Sequence, residues 1–137
     1  MMNYETYPKK CPFCGNKIVF VNNKEIYGKS YGNAKVYLCR KCNAYTGTHY
    51  GTNVAVGVLA NKEMRALRVK CHNIFDSIWR SCKNTRNKRN RLYEGLAEKM
   101  NIDRSHCHFG HFDTEELKMA LGILERGELN DYLQTHN

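Results

Sequence analysis

Up to about residue 60 the apolar positions come in short extended runs, and beyond it they recur with the period of a helix. Ile18-Val19-Phe20-Val21-Asn22 and Ala34-Lys35-Val36-Tyr37-Leu38 are β-prone runs separated by a segment rich in Gly, Asn and Lys, the pattern of a hairpin. Residues 43–52 are polar, aromatic and glycine-bearing and read as a loop or a third short strand. From Asn61, available as an N-cap, Met64, Leu67, Cys71, Phe75, Ile78 and Cys82 return every three or four residues, which predicts a helix of about five or six turns. Leu92, Leu96, Ala97 and Met100 predict a second helix, its start capped by Thr85 or Asn87. Asp113-Thr114-Glu115-Glu116 announces a third that runs through Leu117, Ala120, Leu121 and Leu124 to Gly127, because an N-cap acid followed by Glu three residues on can form a capping box. A turn with Leu129, Tyr132 and Leu133 closes the pattern. The expected fold class is α+β, with a β-hairpin module over residues 1–58 packed with a small three-helix part over residues 59–137.

The cysteines add chemistry to the hairpin. Of the seven, Cys11 and Cys14 enter the first β run and Cys39 and Cys42 leave the second, so both C-x2-C pairs reach the same end. Two such pairs side by side supply four sulfurs to one ion, and a closed thiolate site in a small domain takes zinc by default, with iron as the other option. Gly15 permits the left-handed turn that follows such a knuckle. The module then reads as a zinc ribbon holding one structural Zn²⁺. An odd cysteine count with two such pairs suits a reducing compartment better than a disulfide framework. The first residues show no basic segment followed by an apolar one, and no stretch approaches the ~20 apolar residues of a membrane helix; a cytoplasmic location is expected.

The net charge of +9, reduced by about 2 if four thiolates surround one Zn²⁺, favours polyanions. Residues 1–60 hold eight Lys/Arg against two acids, residues 61–104 twelve against five, and residues 105–137 two against six. The expected nucleic-acid contacts are Lys9, Lys10, Arg40 and Lys41 on the ribbon, with Tyr45, Tyr50 or His49 beside them. Arg65 and Arg68 follow on the first long helix. Arg86, Lys88, Arg89 and Arg91 come from a basic loop and helix start suited to phosphates. His72 and Asp76 lie one helical turn apart and read as a structural polar pair that orients the helix. The run Ser105-His106-Cys107-His108-Phe109-Gly110-His111 is dense in potential ligands, but no second C-x2-C or H-x3-H pair completes a second metal site there.

The strings CPFCG, YLCRKCNAYTGTH, GVLANKEMRALRVKCHNIFDSIW, RNRLYEGLAEKM and CHFGHFD together resemble a zinc-finger-containing family of unknown function, small proteins of phages and bacteria. The resemblance runs from Cys11 to about Leu121. It implies a topoisomerase-like zinc ribbon joined to a helical part in which His72, Phe75, Asp76, Trp79, Tyr93 and Leu96 match the family pattern; it implies no activity. The sequence departs where a proline usually precedes the first helix, at Cys71 in place of a typical alanine, and at Gly95 in place of a typical tryptophan.

The resulting expectation is a small non-enzymatic zinc-ribbon protein that binds DNA or RNA through a basic surface. No catalytic residues are assigned, because neither a nucleophile motif nor the carboxylate cluster of a two-metal site is present. The alternative is a phage-type effector, acting in a bacterial or phage-infected cell, that binds a host or defence protein with the ribbon as scaffold. No membrane partner is expected, and the oligomeric state stays open.

Overall fold

A computed structural model describes residues 2–135. The fold is α+β: a three-stranded antiparallel sheet near the N-terminus followed by helices. The chain divides into two compact units, Met2–Arg65 and the residues from Ala66 onward.

In the first unit β1 (Val19–Asn22), β2 (Lys35–Leu38) and β3 (Tyr45–Gly47) pair in that order, with Val19 opposite Leu38, Asn22 opposite Lys35 and Val36 opposite Gly47. Of the β-prone runs that predicted the hairpin, the second places Val36, Tyr37 and Leu38 in buried positions. Of the two readings of residues 43–52, the strand is realised. Two features of this unit carry no apolar period and were not expected. One is a single-turn helix, α1 (Lys24–Tyr27), between β1 and β2, which ends on Gly28 at φ 81°. Buried Asn23 fixes that connection: its Nδ2 donates to the Tyr31 carbonyl at 2.8 Å and its Oδ1 accepts from the Tyr31 amide at 3.1 Å. The other is Asn33, whose Nδ2 reaches Thr48 Oγ1 at 2.6 Å and the carbonyls of His49 and Thr52 at 3.0 and 2.9 Å. Each asparagine uses one side-chain amide to hold a loop that has little apolar surface to bury.

Helix α2 (Lys62–Arg80) starts in the first unit, where Asn61 Oδ1 accepts from the Met64 amide at 2.9 Å, as an N-cap should. Met64, Cys71 and Phe75 are buried; Leu67 and Ile78 are half-buried, and Cys82 lies just past the helix end. Helix α3 (Thr85–Met100) begins before the expected caps: its N-cap is Asn84, in the left-handed region at φ 58°, with no side-chain cap bond. The correction has a simple cause. Lys and Arg are good helix formers, so residues 86–91 extend the helix rather than forming a loop.

The expected inward residues Leu92, Leu96, Ala97 and Met100 are all buried. Two 3₁₀ turns, Arg104–His106 and Phe109–His111, lead to α4 (Thr114–Glu125). Its capping box is complete: Asp113 Oδ1 accepts from the Glu116 amide at 2.9 Å, and Glu116 Oε1 accepts from the Asp113 amide at 3.0 Å. A last short helix, α5 (Tyr132–Thr135), brings the Tyr132 ring against Gly95, where a Cβ would lie 2.9 Å from ring carbons. A tyrosine from the C-terminal turn thus covers the position at which the family resemblance leads one to expect a tryptophan on α3.

Candidate metal centre and basic surface

The two C-x2-C knuckles repeat one local geometry. In the first, the Cys11 amide donates to the Asn16 carbonyl at 2.8 Å and the Gly15 amide to the Cys11 carbonyl at 2.9 Å; in the second, the Cys39 amide donates to the Ala44 carbonyl at 2.9 Å and the Asn43 amide to the Cys39 carbonyl at 2.8 Å. Gly15 and Asn43 occupy equivalent left-handed positions, φ 77° and 58°. Asparagine is among the few residues with a side chain that enter this region readily, so Asn43 is the counterpart of Gly15, a signal that the sequence reading overlooked. Backbone amides also point at sulfur, Phe13 N to Cys11 Sγ and Cys42 N to Cys39 Sγ, both at 3.4 Å.

The result is a group of four sulfurs, Cys11, Cys14, Cys39 and Cys42, all within 4.8 Å of one another. Cys14 Sγ and Cys39 Sγ are 3.6 Å apart. A tetrahedral zinc site with bonds of about 2.3 Å has sulfur–sulfur edges of roughly 3.8 Å, so this donor set fits one ion. Cys11 and Cys39 are buried and join Ile18, Tyr37, Ala44, Ala55 and Leu59 in the core of the unit, while Cys14 and Cys42 are half-exposed.

The thiols are electrostatically unequal. Burial pushes Cys11 up; a hydrogen bond from the Asn16 backbone brings Cys14 down to about 7, and the bond with Cys14 pushes Cys42 up to about 12. A metal entering such a site displaces protons, because the ligands act as thiolates. Among the described residues this is the only cluster of three or more His, Cys, Asp or Glu arranged to hold an ion. In the histidine-rich turns His106 Nε2 lies 2.7 Å from Glu116 Oε2.

The basic residues singled out in the sequence fall into different settings. Lys9, Lys10, Lys41 and His49 are exposed. Arg40 forms a two-point pair with Glu25, Nη2 to Oε1 at 2.8 Å and Nε to Oε2 at 3.3 Å. Arg65 donates to the Ala60 carbonyl at 2.6 Å, and its guanidinium lies 4.3 Å from the centroid of the Tyr45 ring, so Tyr45 is stacked within its own unit. Tyr50 is 91% exposed.

In the second unit Arg68 donates to the Gly110 carbonyl at 3.0 Å. On α3, Arg86 and Arg89 are exposed, Lys88 and Arg91 half-buried; each pair lies one turn apart, and the two pairs point in different directions. Asp76 accepts from Trp79 Nε1 at 2.8 Å and faces Arg80 Nη2 at 3.7 Å, whereas His72 lies edge-on to Phe109 at 4.8 Å and bonds the Arg68 backbone. The two residues of the expected polar pair therefore each have other principal contacts. Their remaining link is electrostatic.

Sequence reasoning named exposed Tyr50 but missed other exposed aromatics of the first unit. Tyr27, Tyr31 and Phe20 are 49%, 51% and 38% exposed, with Lys29 5.3 Å from the Tyr31 centroid and Lys35 5.8 Å from that of Phe20. Lysine and aromatic residues interleaved in a polar segment were the available signal. The units also differ in charge: residues 2–65 hold ten Lys/Arg against three acids, residues 66–137 twelve against ten. No helix among the described residues is long and apolar enough to cross a membrane. A family model described as a zinc-finger-containing domain matches residues 7–127. No curated protein and no solved structure matches the chain.

Proposed function

The chain belongs to this zinc-finger-containing family, and from that premise we propose that it is a non-enzymatic protein whose four cysteines hold one structural Zn²⁺ and whose ribbon unit binds nucleic acid. Four protein ligands leave no open coordination position, so the ion supplies folding energy and no chemistry. The Phe13 amide aimed at Cys11 Sγ opposes the effect of burial there and so favours the thiolate form that the metal needs.

The observation that carries the nucleic-acid reading is the charge of the ribbon unit, ten cations against three acids. Four thiolates around one Zn²⁺ lower that surplus by only about 2. Lys9, Lys10 and Lys41 are exposed and suited to phosphates, while Tyr27, Tyr31 and Tyr50 present ring faces on which unpaired bases stack at about 1–3 kcal/mol each. Arg40 and Arg65 have internal partners and contribute field more than direct contact. The cations of α3, Arg86, Lys88, Arg89 and Arg91, supply a separate set.

The test is binding of labelled single-stranded DNA, duplex DNA and RNA to the zinc-loaded protein across a salt series. Log affinity should fall linearly with log salt, and neutralising Lys9, Lys10 and Lys41 together should make the slope shallower by about 2–3. Single strands should bind more tightly than duplex, and Tyr27→Ala with Tyr31→Ala should remove that preference. Absence of binding at low salt would reject the reading; the exposed aromatic patch would then favour a protein partner, in the manner of an effector of a host or defence protein.

A further inference from the structure

We propose that the helical unit carries a second site, distinct from the ribbon's basic surface, that binds a phosphoryl group between Arg89, Arg104, His72 and His108 beside the ring of Tyr93. The proposal does not rest on the nucleic-acid reading of the ribbon. Three chain segments converge here: α2 contributes His72, α3 contributes Arg89 and Tyr93, and the first 3₁₀ turn with the two residues that follow it contributes Arg104 and His108. The guanidinium carbons of Arg104 and Arg89 lie 4.8 and 5.3 Å from the Tyr93 centroid, and the His108 ring is 6.0 Å from it. Phe75 and Phe109 pack against the same ring at 4.4 and 5.8 Å between centroids and fix its position. Tyr93 itself is buried, so it serves as a rigid plate under the two cations.

The charge at this place is unbalanced. Among the described residues neither Arg89 nor Arg104 has a carboxylate partner; the hydrogen bond that Arg104 makes goes to the Cys107 carbonyl at 3.2 Å. The acid that acts on His72 and Tyr93 is Asp76, whose oxygens face Trp79 and Arg80. Burial is the first cause that holds both imidazoles below the ordinary histidine value; at His108 the charges of Arg104, His106 and Arg89 act the same way, and at His72 those of Arg68 and Arg89 do so against Asp76 and the Arg68 backbone.

The Tyr93 ring and the Cys107 carbonyl hold the two guanidiniums in place but leave their positive charge unneutralised. An anion supplies the missing charge, and the guanidinium forks stacked on a ring keep in-plane N–H donors for its oxygens. Two forks and two imidazoles offer donors to three or more oxygens, which suits a phosphoryl group better than a carboxylate. No bond-making step is proposed.

The experiment is a titration of the zinc-loaded full chain with inorganic phosphate at constant ionic strength, followed by the imidazole resonances of His72 and His108 and the Nε–H resonances of Arg89 and Arg104. Saturable shifts of these four groups, absent when chloride replaces phosphate, are expected. Arg104→Gln and, on the exposed face of α3, Arg89→Gln should each weaken binding about tenfold, the effect of one lost charge-assisted bond, whereas Arg86→Gln should not. A short oligonucleotide with and without a 5′-phosphate, read at the same four groups in the chain with Lys9, Lys10 and Lys41 neutralised, then distinguishes a terminal phosphoryl group, which shifts them only in the first case, from a backbone diester, which shifts them in both.

Shifts that do not saturate, that chloride reproduces, or that survive both arginine substitutions would overturn the proposal. Neutralising Lys9, Lys10 and Lys41 should leave the phosphate titration unchanged, so this site and the ribbon's binding fail separately.

Discussion

The first unit buries Ile18, Tyr37, Ala44, Ala55 and Leu59 around Cys11 and Cys39, and holds its loops with Asn23 and Asn33. The second buries Phe75, Phe109, Phe112, Leu92, Leu96, Leu117 and Leu129 completely or nearly so, with aromatic rings in sequence, Phe75 to Phe109 at 5.2 Å and Phe109 to Phe112 at 5.9 Å. A sheet of short strands over a core of one isoleucine, one tyrosine, one leucine and two alanines around the cysteines removes little apolar surface from water to set against the entropy of ordering about sixty residues. The difference teaches that the first unit gathers four potential metal ligands where the second gathers large apolar side chains. Charge follows the same division, since the unit with the smaller core carries most of the net positive charge.

The comparison is broken most severely at the cysteines. Chelation, or Cys39→Ser, should remove the roughly 10–16 kcal/mol that structural zinc contributes in small domains, unfolding the ribbon while the helical circular dichroism largely persists. Loss of both signals together would show that the second unit does not stand without the first. Next in size, Leu96→Ala should destabilise the helical unit by about 2–5 kcal/mol without releasing zinc, measured by denaturant titration alongside metal analysis. Gly95→Ala should cost about 1–3 kcal/mol, because its Cβ would meet the Tyr132 ring at 2.9 Å; in a Tyr132→Ala background that penalty should vanish.

A smaller effect comes from protons. His72 and His108 are held below the ordinary histidine value, first by burial, so the folded helical unit binds fewer protons than the unfolded chain. Their contribution is present above about pH 6.5 and is lost as pH falls through the folded values. The Tm of the helical unit in phosphate-free buffer should therefore drop on acidification, and His72→Gln should flatten the drop. The smallest effect is expected for Glu25→Gln, which releases the exposed Arg40: stability should not change measurably, while affinity of the ribbon for a polyanion should rise slightly.

Much of this was legible in the sequence because it rests on local rules. The four cysteines, the strands beside them, the Asn61 cap and the Asp113–Glu116 capping box are each set by a handful of neighbouring residues. Helix α3 was misjudged at its start because its basic first turns lack an apolar stripe, although lysine and arginine propensity favours helix there. The short helix α1 escaped because the polar side chain that fixes its loop, Asn23, acts through single hydrogen bonds that leave no periodicity.

By itself, then, the sequence determined the candidate metal-binding cysteines, the α+β order of elements and the basic character of the first unit, since spacing, period and charge are properties of the chain. Tertiary structure alone decided which charges remain available. It paired Arg40 with Glu25, stacked Arg65 on Tyr45, exposed Tyr27 and Tyr31, and gathered Arg89, Arg104 and His108 around Tyr93. The physical reason is that a hydrogen bond or a cation–π contact depends on distances of a few ångströms between residues that lie 15 or more positions apart in several of these pairs, and no local pattern along the chain encodes them.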